Sequence, residues 1–417
     1  MSNLGRTGWF HWPAPGPAML WILAGGSVVL LVFELNTVVR GVLWPLLNNP
    51  QAIQTDFQYY YDAALRFSED PDRLYLASDD FIAGFAYPPL AILPFLPLSR
   101  LPLGTALLYF TLASYSALLI AVWLWCGRLR ARGVSIDPGA TAALTVIALA
   151  LGPTYLNATF GQVNTFVLLS CVGFLGLFDR LPIAAGALLA CGTWLKVYPI
   201  LMMAIGTWNR RAWRAIAYAG VAVIVLMVIT LPIVPLSAHR AFVQDVLPAR
   251  VDKTAIHFLN QSLVAFVERF QAAPLSYLEW NGEETVTVSA TMRTVNWGVT
   301  LLVLIFLRRR ATSGSALASV ASEAGVMALV AIVAPLGWGH TYVLALPLVV
   351  LRLSMARQMG PGYAFIVFCC VGAMMVPAGY RFSFADHWPH WLQNLAYSRY
   401  LLATTVLILY PTRAHWR

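Results

Sequence analysis

Apolar runs alternate along this chain with short arginine-rich loops and three longer polar segments. The runs lie at 18–38, 103–127, 140–157, 163–178, 183–207, 213–234, 291–307, 324–336, 341–351, 362–377 and 397–410. Several match the about 17–25 residues a helix needs to cross a hydrocarbon core of about 30 Å. The shorter ones require tilt or neighbouring protein. The run 183–207 is interrupted by Lys196 and Pro199, so two half-helices that go out and return are expected there. The run 87–98, YPPLAILPFLPL, is short and holds four prolines, and it is read as interfacial or re-entrant. The pattern predicts an all-α polytopic integral membrane protein of about 10–12 transmembrane helices. It forms a single domain over 1–417, with a first outer loop at 39–86 and a large one at 235–290.

Composition agrees. Charged residues make up 11% of the 417 and hydrophobic ones 59%, against roughly 25% charged in a soluble domain. Arg6 before the first run, with no small-residue cleavage pattern, marks a signal anchor. The net charge of +9 reflects topology rather than nucleic-acid binding. Short cytoplasmic loops carry excess Lys and Arg. RLRAR (128–132), DR (179–180), NRRAWR (209–214), RRR (308–310), RLSMAR (352–357) and the tail RAHWR are therefore placed inside. The loops 39–86 and 235–290 and the segment 380–395 then lie outside and hold 14 of the 18 acidic residues. All five cysteines fall in apolar runs, so neither a disulfide framework nor a metal cluster is indicated. The chain has no metal-ligand spacing and no phosphate-binding glycine loop.

The candidate chemistry gathers on the outer side. TDFQYYYDAALRF (55–67) reads as a helix on the membrane surface. Thr55 and Gln58 fit a capping box. Phe57, Tyr60, Tyr61, Ala64 and Leu65 form its apolar face, with tyrosines setting its depth. Asp56 in the first turn is either a favourable charge at a helix N-terminus or a partly desolvated carboxylate able to take a proton. Asp62, Asp70, Asp72, Asp79 and Asp80 read as solvated charges. Lys196, one of only two lysines, either snorkels to the interface or marks an anion site. His340 in GWGH is a packing histidine, a phosphate donor or a proton carrier. His257, Asn260 and Gln261 share one short amphipathic piece. GQVN (161–164) either satisfies broken helix ends or binds substrate. Glu34 is nearly the only carboxylate inside an apolar run.

In order, TDFQYYYDAA, FAYPPLAILPFLPLSRLP, GQVN, LKVYP before NRRAWR, HFLNQSL and PLGWGHTYV resemble glycosyltransferase family 87. Each segment is weak alone, and the ordered set is specific. Relatives often carry paired histidines where this chain has Gly339-His340-Thr341. The resemblance implies a GT-C-like helix bundle with its active site on extracytoplasmic loops. It implies transfer of a hexose, usually mannose, from a polyprenyl-phosphate donor to a hydroxyl of a glycolipid or glycan, with inversion. Asp56 would be the general base, carried over from the family's first-loop aspartate. Lys196, His340 and Arg381 would bind the donor phosphate. Tyr60, Gln162, Asn164, Tyr198, His257, Asn260 and Gln261 would bind sugar or acceptor, and Trp338 would stack on a sugar face. Membrane lipid, lipid-linked donor and glycan acceptor are the implied partners, with no metal cofactor and no nucleic acid. The implied location is the plasma (inner) membrane, with the site facing the periplasm or exterior. A transporter or flippase for a lipid-linked sugar and a non-catalytic membrane subunit are the competing readings.

Overall fold

The structure, a computed structural model, describes residues 17–48, 55–75, 84–272, 276–278, 285–356 and 359–411. Arg6, Asp79, Asp80, Arg357 and the tail RAHWR lie outside the described residues. The chain is helical nearly throughout. Helix α1 (Pro17–Val38) continues through a π-turn, Val39–Leu43, and the amphipathic α2 (Asp56–Glu69) follows. Next come α3 (Leu103–Ala131), α4 (Pro138–Leu149), α5 (Gly152–Phe160), α6 (Asn164–Leu177), α7 (Pro182–Leu195) and a 3-10 segment, Tyr198–Thr207. The second half holds α8 (Ala212–Thr230), α9 (Ala290–Ala311) and α10 (Ala316–Val333). A 3-10 turn, Gly339–Ala345, then leads into α11 (Leu346–Ala356), α12 (Pro361–Met375) and α13 (Arg399–Leu409).

Among the described residues, six helical segments are long and apolar enough to cross a membrane, and α4 with α5 makes a seventh. The chain is thus an all-α polytopic membrane protein. The α4–α5 pair bends by 54° at Gly152-Pro153, where proline has no N–H for the helix ladder. The most apolar window of α10 is 83% buried, while those of α1, α8 and α9 are 22% buried. So α10, with the still more buried segment Gly339–Ala356 (94%), forms the centre, and the other three turn most of their apolar surface outward.

Several expectations need correction. The run 324–336 begins earlier, at Ala316, and so takes in Glu323, a carboxylate with no exposed side-chain surface. Glu34 is therefore not nearly alone. Thr55 caps α2 without a side-chain hydrogen bond and lines a cavity instead; only its carbonyl accepts, from Gln58 N at 3.0 Å. The buried face of α2 is Phe57, Tyr60, Ala63, Ala64 and Phe67, with Leu65 exposed. Tyr60 is 1% exposed and packs inside the protein, its ring stacked 4.6 Å from Phe95. It does not sit at a lipid interface. The segment 87–98 forms two short pieces, Pro89–Ile92 and Phe95–Leu98, packed beside α2. Ten residues of helix rise only about 15 Å, half a bilayer core. The outer loop also contains a two-stranded ribbon, β1 (Lys253–Ala255) antiparallel to β2 (Thr285–Thr287).

The basic loops meet at one end of the bundle. Asp179 lies 3.5 Å from Arg132 and 3.9 Å from Arg211. The fully buried Arg352 donates to the last carbonyls of α13, Leu407 and Tyr410. Arg128 at the end of α3 pairs with Glu323 at 2.7 Å. The other end of α3 meets the polar outer segments, where Leu107 packs under Gly161. Twenty-one residues of helix separate Leu107 from Arg128, about 30 Å, the thickness of a hydrocarbon core.

The Arg128–Glu323 pair generates a test of this bundle. Glu323→Ala strands a guanidinium in a poorly solvated site, and a loss of about 3–5 kcal/mol is expected. Glu323→Gln should lose less. Thermal unfolding of the detergent-solubilised protein measures both.

Candidate active site

The polar residues of the outer segments converge on a cavity of about 730 Å³. Asp56 is the first residue of α2. Gly161 ends α5 in the left-handed conformation, φ +65°. A Cβ there would sit 2.6 Å from the Cβ of Phe57, so glycine is required for α5 to approach α2. The next residue, Gln162, thereby reaches Asp56. Helix α7 stops at Lys196, whose backbone is extended, and Pro199 is the second residue of the 3-10 segment.

Gln162 joins these elements. Its Nε2 donates to Asp56 Oδ2 at 2.5 Å. Its Oε1 accepts from Tyr60 OH at 2.9 Å, Lys196 Nζ at 3.1 Å and Tyr87 OH at 3.3 Å. The Lys196 ammonium also lies 5.3 Å and 5.7 Å from the ring centres of Tyr87 and Tyr198. Asp56 is packed about by protein, yet 31% of its side chain remains open, and it lines the cavity. Burial raises its pKa above the ordinary carboxylate range; the Gln162 hydrogen bond and the Lys196 charge pull against that rise. A carboxylate in this state is basic enough to take a proton from a bound hydroxyl.

His340 approaches from the opposite side. Asn164, the first residue of α6, donates from Nδ2 to His340 Nδ1 at 2.9 Å. The other ring nitrogen, Nε2, lies 3.8 Å from Asp56 Oδ2. His257 also lines the cavity. Burial and nearby Arg269 push its pKa down to about 4, so it is neutral at physiological pH. Its backbone is clamped by Arg269, which is fully buried and donates to the carbonyls of His257 and Asn260.

Of the residues singled out from sequence, Asp56, Gln162, Lys196, Tyr198, His257, Trp338 and His340 line the cavity. Tyr60 and Asn164 are not among its lining residues; they are buried behind Gln162 and His340. Asn260 and Gln261 have no exposed surface and serve the fold. Asn260 donates to Ala255 O at 2.8 Å and pairs by backbone bridge with Trp338. Gln261 donates to Phe258 O and Tyr397 O, both at 2.6 Å. They hold the Trp338 turn and are withdrawn as sugar contacts. Arg381 is not among the lining residues either; it pairs with Asp386 at 2.9 Å on the surface and is withdrawn as a phosphate ligand. Tyr87, Arg250, Arg293 and Asn296 line the cavity and escaped the sequence reading. The signal for the last two was a polar stripe, Arg293 and Asn296, at helical spacing on an apolar helix. Among the described residues, no three His, Cys, Asp or Glu side chains gather as a metal site.

The chain is a membrane-embedded helix bundle whose irregular segments close around one polar-lined cavity. The model of glycosyltransferase family 87 matches residues 85–335, more than half of the chain, and the protein belongs to that family. It is a membrane glycosyltransferase. Asp56 and His340 flank the matched span rather than fall within it. None of the curated proteins matches the chain.

Gln162→Leu removes the acceptor for two buried donors, Tyr60 and Lys196, and for Tyr87, and the donor to Asp56. The expected cost is about 1–3 kcal/mol of stability and about a hundredfold in sugar transfer through misplacement of Asp56 and Lys196. Unfolding temperature and transfer rate, measured on the same preparation, check both.

Proposed function

We propose that the protein moves a hexose, mannose by the family resemblance, from a polyprenyl-phosphate donor to a hydroxyl of a glycolipid or glycan. The observation that carries this reading is Asp56 opening into the cavity, with the Lys196 ammonium at the far end of the same Gln162 amide. Asp56 takes the proton of the acceptor hydroxyl as its oxygen bonds to the anomeric carbon. The bond from that carbon to the phosphate oxygen breaks, and the electron pair leaves with the phosphate. Cations and the Nε2–H of His340 stabilise the departing charge. A single displacement inverts the anomeric carbon. Trp338 and Tyr198 offer faces for the sugar, and His257 offers a neutral polar contact.

The location is proposed on the same footing. The basic loops cluster about 30 Å along α3 from the cavity. The positive-inside rule puts such loops in the cytoplasm. The cavity then faces the outside of a plasma membrane.

The experiment is transfer of radiolabelled mannose from polyprenyl-phosphate mannose to extracted native lipids and glycans, comparing the parent with Asp56→Asn. Loss of transfer by about a hundredfold or more is expected, the range for removing a general base. The variant should keep or raise its unfolding temperature at neutral pH. The sign follows from linkage: the folded-state pKa of Asp56 is raised, so ionising it opposes folding as pH rises, and an amide removes that opposition. Equal transfer by both proteins removes Asp56 from the mechanism.

The same shift sets a pH dependence. The base works only when deprotonated, and its pKa is raised. Transfer should therefore fall on acidification at a higher pH than for an ordinary carboxylate. A profile of kcat/KM against pH with an acidic limb at the ordinary value would contradict this.

A further inference from the structure

A histidine can carry its proton on either ring nitrogen, and for His340 the choice decides what the ring offers the cavity. Two buried asparagines stand behind it. Asn157 lies on α5 and Asn164 opens α6, and neither is among the residues that line the cavity. An amide side chain has a donor end and an acceptor end of nearly the same shape, so its partners decide its orientation. Here the partners include backbone carbonyls, which only accept.

The bonds run from one carbonyl to another. Asn157 Nδ2 donates to the carbonyl of Gln162 at 3.0 Å, which leaves Asn157 Oδ1 to face Asn164. Asn164 Nδ2 donates to that oxygen at 3.1 Å and to the carbonyl of His340 at 3.2 Å. Turning the Asn164 amide over would set its oxygen against both acceptors. Its own Oδ1 has no partner among the described residues, so the orientation is set by what the nitrogen faces. The same nitrogen lies 2.9 Å from His340 Nδ1. Two N–H groups cannot point at each other over that distance, so Nδ1 is bare. The contact rules out a doubly protonated ring for the same reason. The charged groups that face the ring are Asp56 and Lys196. Nε2 is on the side of Asp56, and 3.8 Å is too far for a hydrogen bond between them.

We propose that Asn157 and Asn164 are positioning residues that hold His340 neutral, with its single N–H on Nε2 and turned to the substrate side of the cavity. Where the proton sits rests on the hydrogen bonds alone; what the N–H serves rests on the sugar-transfer reading above. Two consequences follow for the chemistry. A neutral ring leaves Asp56 unpaired, whereas an imidazolium at this distance would pair with the carboxylate and weaken it as a base. The Nε2–H, unused by Asp56, stays open to an oxygen of the bound substrate. The tetrapeptide 161–164 thus sets both groups: Gln162 holds Asp56, and Asn164 holds His340.

The test uses the full-length protein in detergent with nitrogen-15-labelled histidine. Ring-nitrogen chemical shifts separate the two neutral tautomers from each other and from the imidazolium. His340→Gln identifies which of the seven histidines gives the signal. At neutral pH the His340 ring should carry its proton on Nε2 alone. A proton on Nδ1, in a neutral or a charged ring, overturns the inference. Asn164→Asp puts an acceptor beside Nδ1 and should draw a proton there. In transfer assays Asn164→Asp should lower kcat about tenfold in the parent but less than about twofold in the His340→Gln background, because a residue that acts through the imidazole loses its effect once the imidazole is gone. Equal losses in the two backgrounds assign Asn164 to the fold and overturn its positioning role. If the shifts are as expected while the parent transfers nothing from polyprenyl-phosphate mannose, the proposed donor falls and the proton placement stands.

Discussion

The site depends on one amide. Gln162 faces Asp56 with its nitrogen and receives three donors at its oxygen, so the amide cannot turn over without losing its bonds to Asp56 and Lys196. The placement solves a problem of charge. A carboxylate alone among packed protein is costly to ionise and would remain protonated. Paired closely with a lysine, it would ionise easily and lose its basicity, because an adjacent opposite charge lowers a carboxylate pKa. The amide stands between these limits. It gives Asp56 one donor and spaces Lys196 one side chain away, so the acid is neither bare nor closed into an ion pair.

Membrane physics decides where such a site can be built. A bilayer accepts helices whose backbone bonds are closed and tolerates irregular backbone only where protein or a cavity covers it. The breaks after α5, after α7 and after α10 all border this cavity. Those breaks supply the chemistry. Gln162 follows the left-handed Gly161, Lys196 ends α7, and Trp338 and His340 open the turn after α10. Asp56 and Asn164 are first residues of helices, where free N–H groups favour negative charge nearby. The same irregularities that would be forbidden against lipid become useful once they face a common space.

Much of this was legible in the chain. Apolar run length gave the polytopic bundle, and arginine placement grouped loops that ion pairs join in three dimensions. The break at Lys196 could be read because proline and a lone cation both interrupt an apolar run. What failed had physical causes. Asn260 and Gln261 look like sugar ligands, but a buried turn has carbonyls to satisfy, and both side chains are spent on them. The period of α2 was one position off because its neighbours are other parts of the protein, so Phe67 turned inward and Leu65 outward. Glu323 was missed because its partner Arg128 is nearly 200 residues away, and no local pattern announces a long-range ion pair. Arg250 and Arg293 were hidden for a related reason: they lie far apart in sequence, and only the fold brings both to the cavity.

The use of lysine at the centre of a chain so rich in arginine follows from the same geometry. A guanidinium beside Asp56 would present a fork of donors matched to a carboxylate and would close a pair with it. An ammonium has one compact charge. It can spend a hydrogen bond on Gln162, rest against the faces of Tyr87 and Tyr198, and still line the cavity.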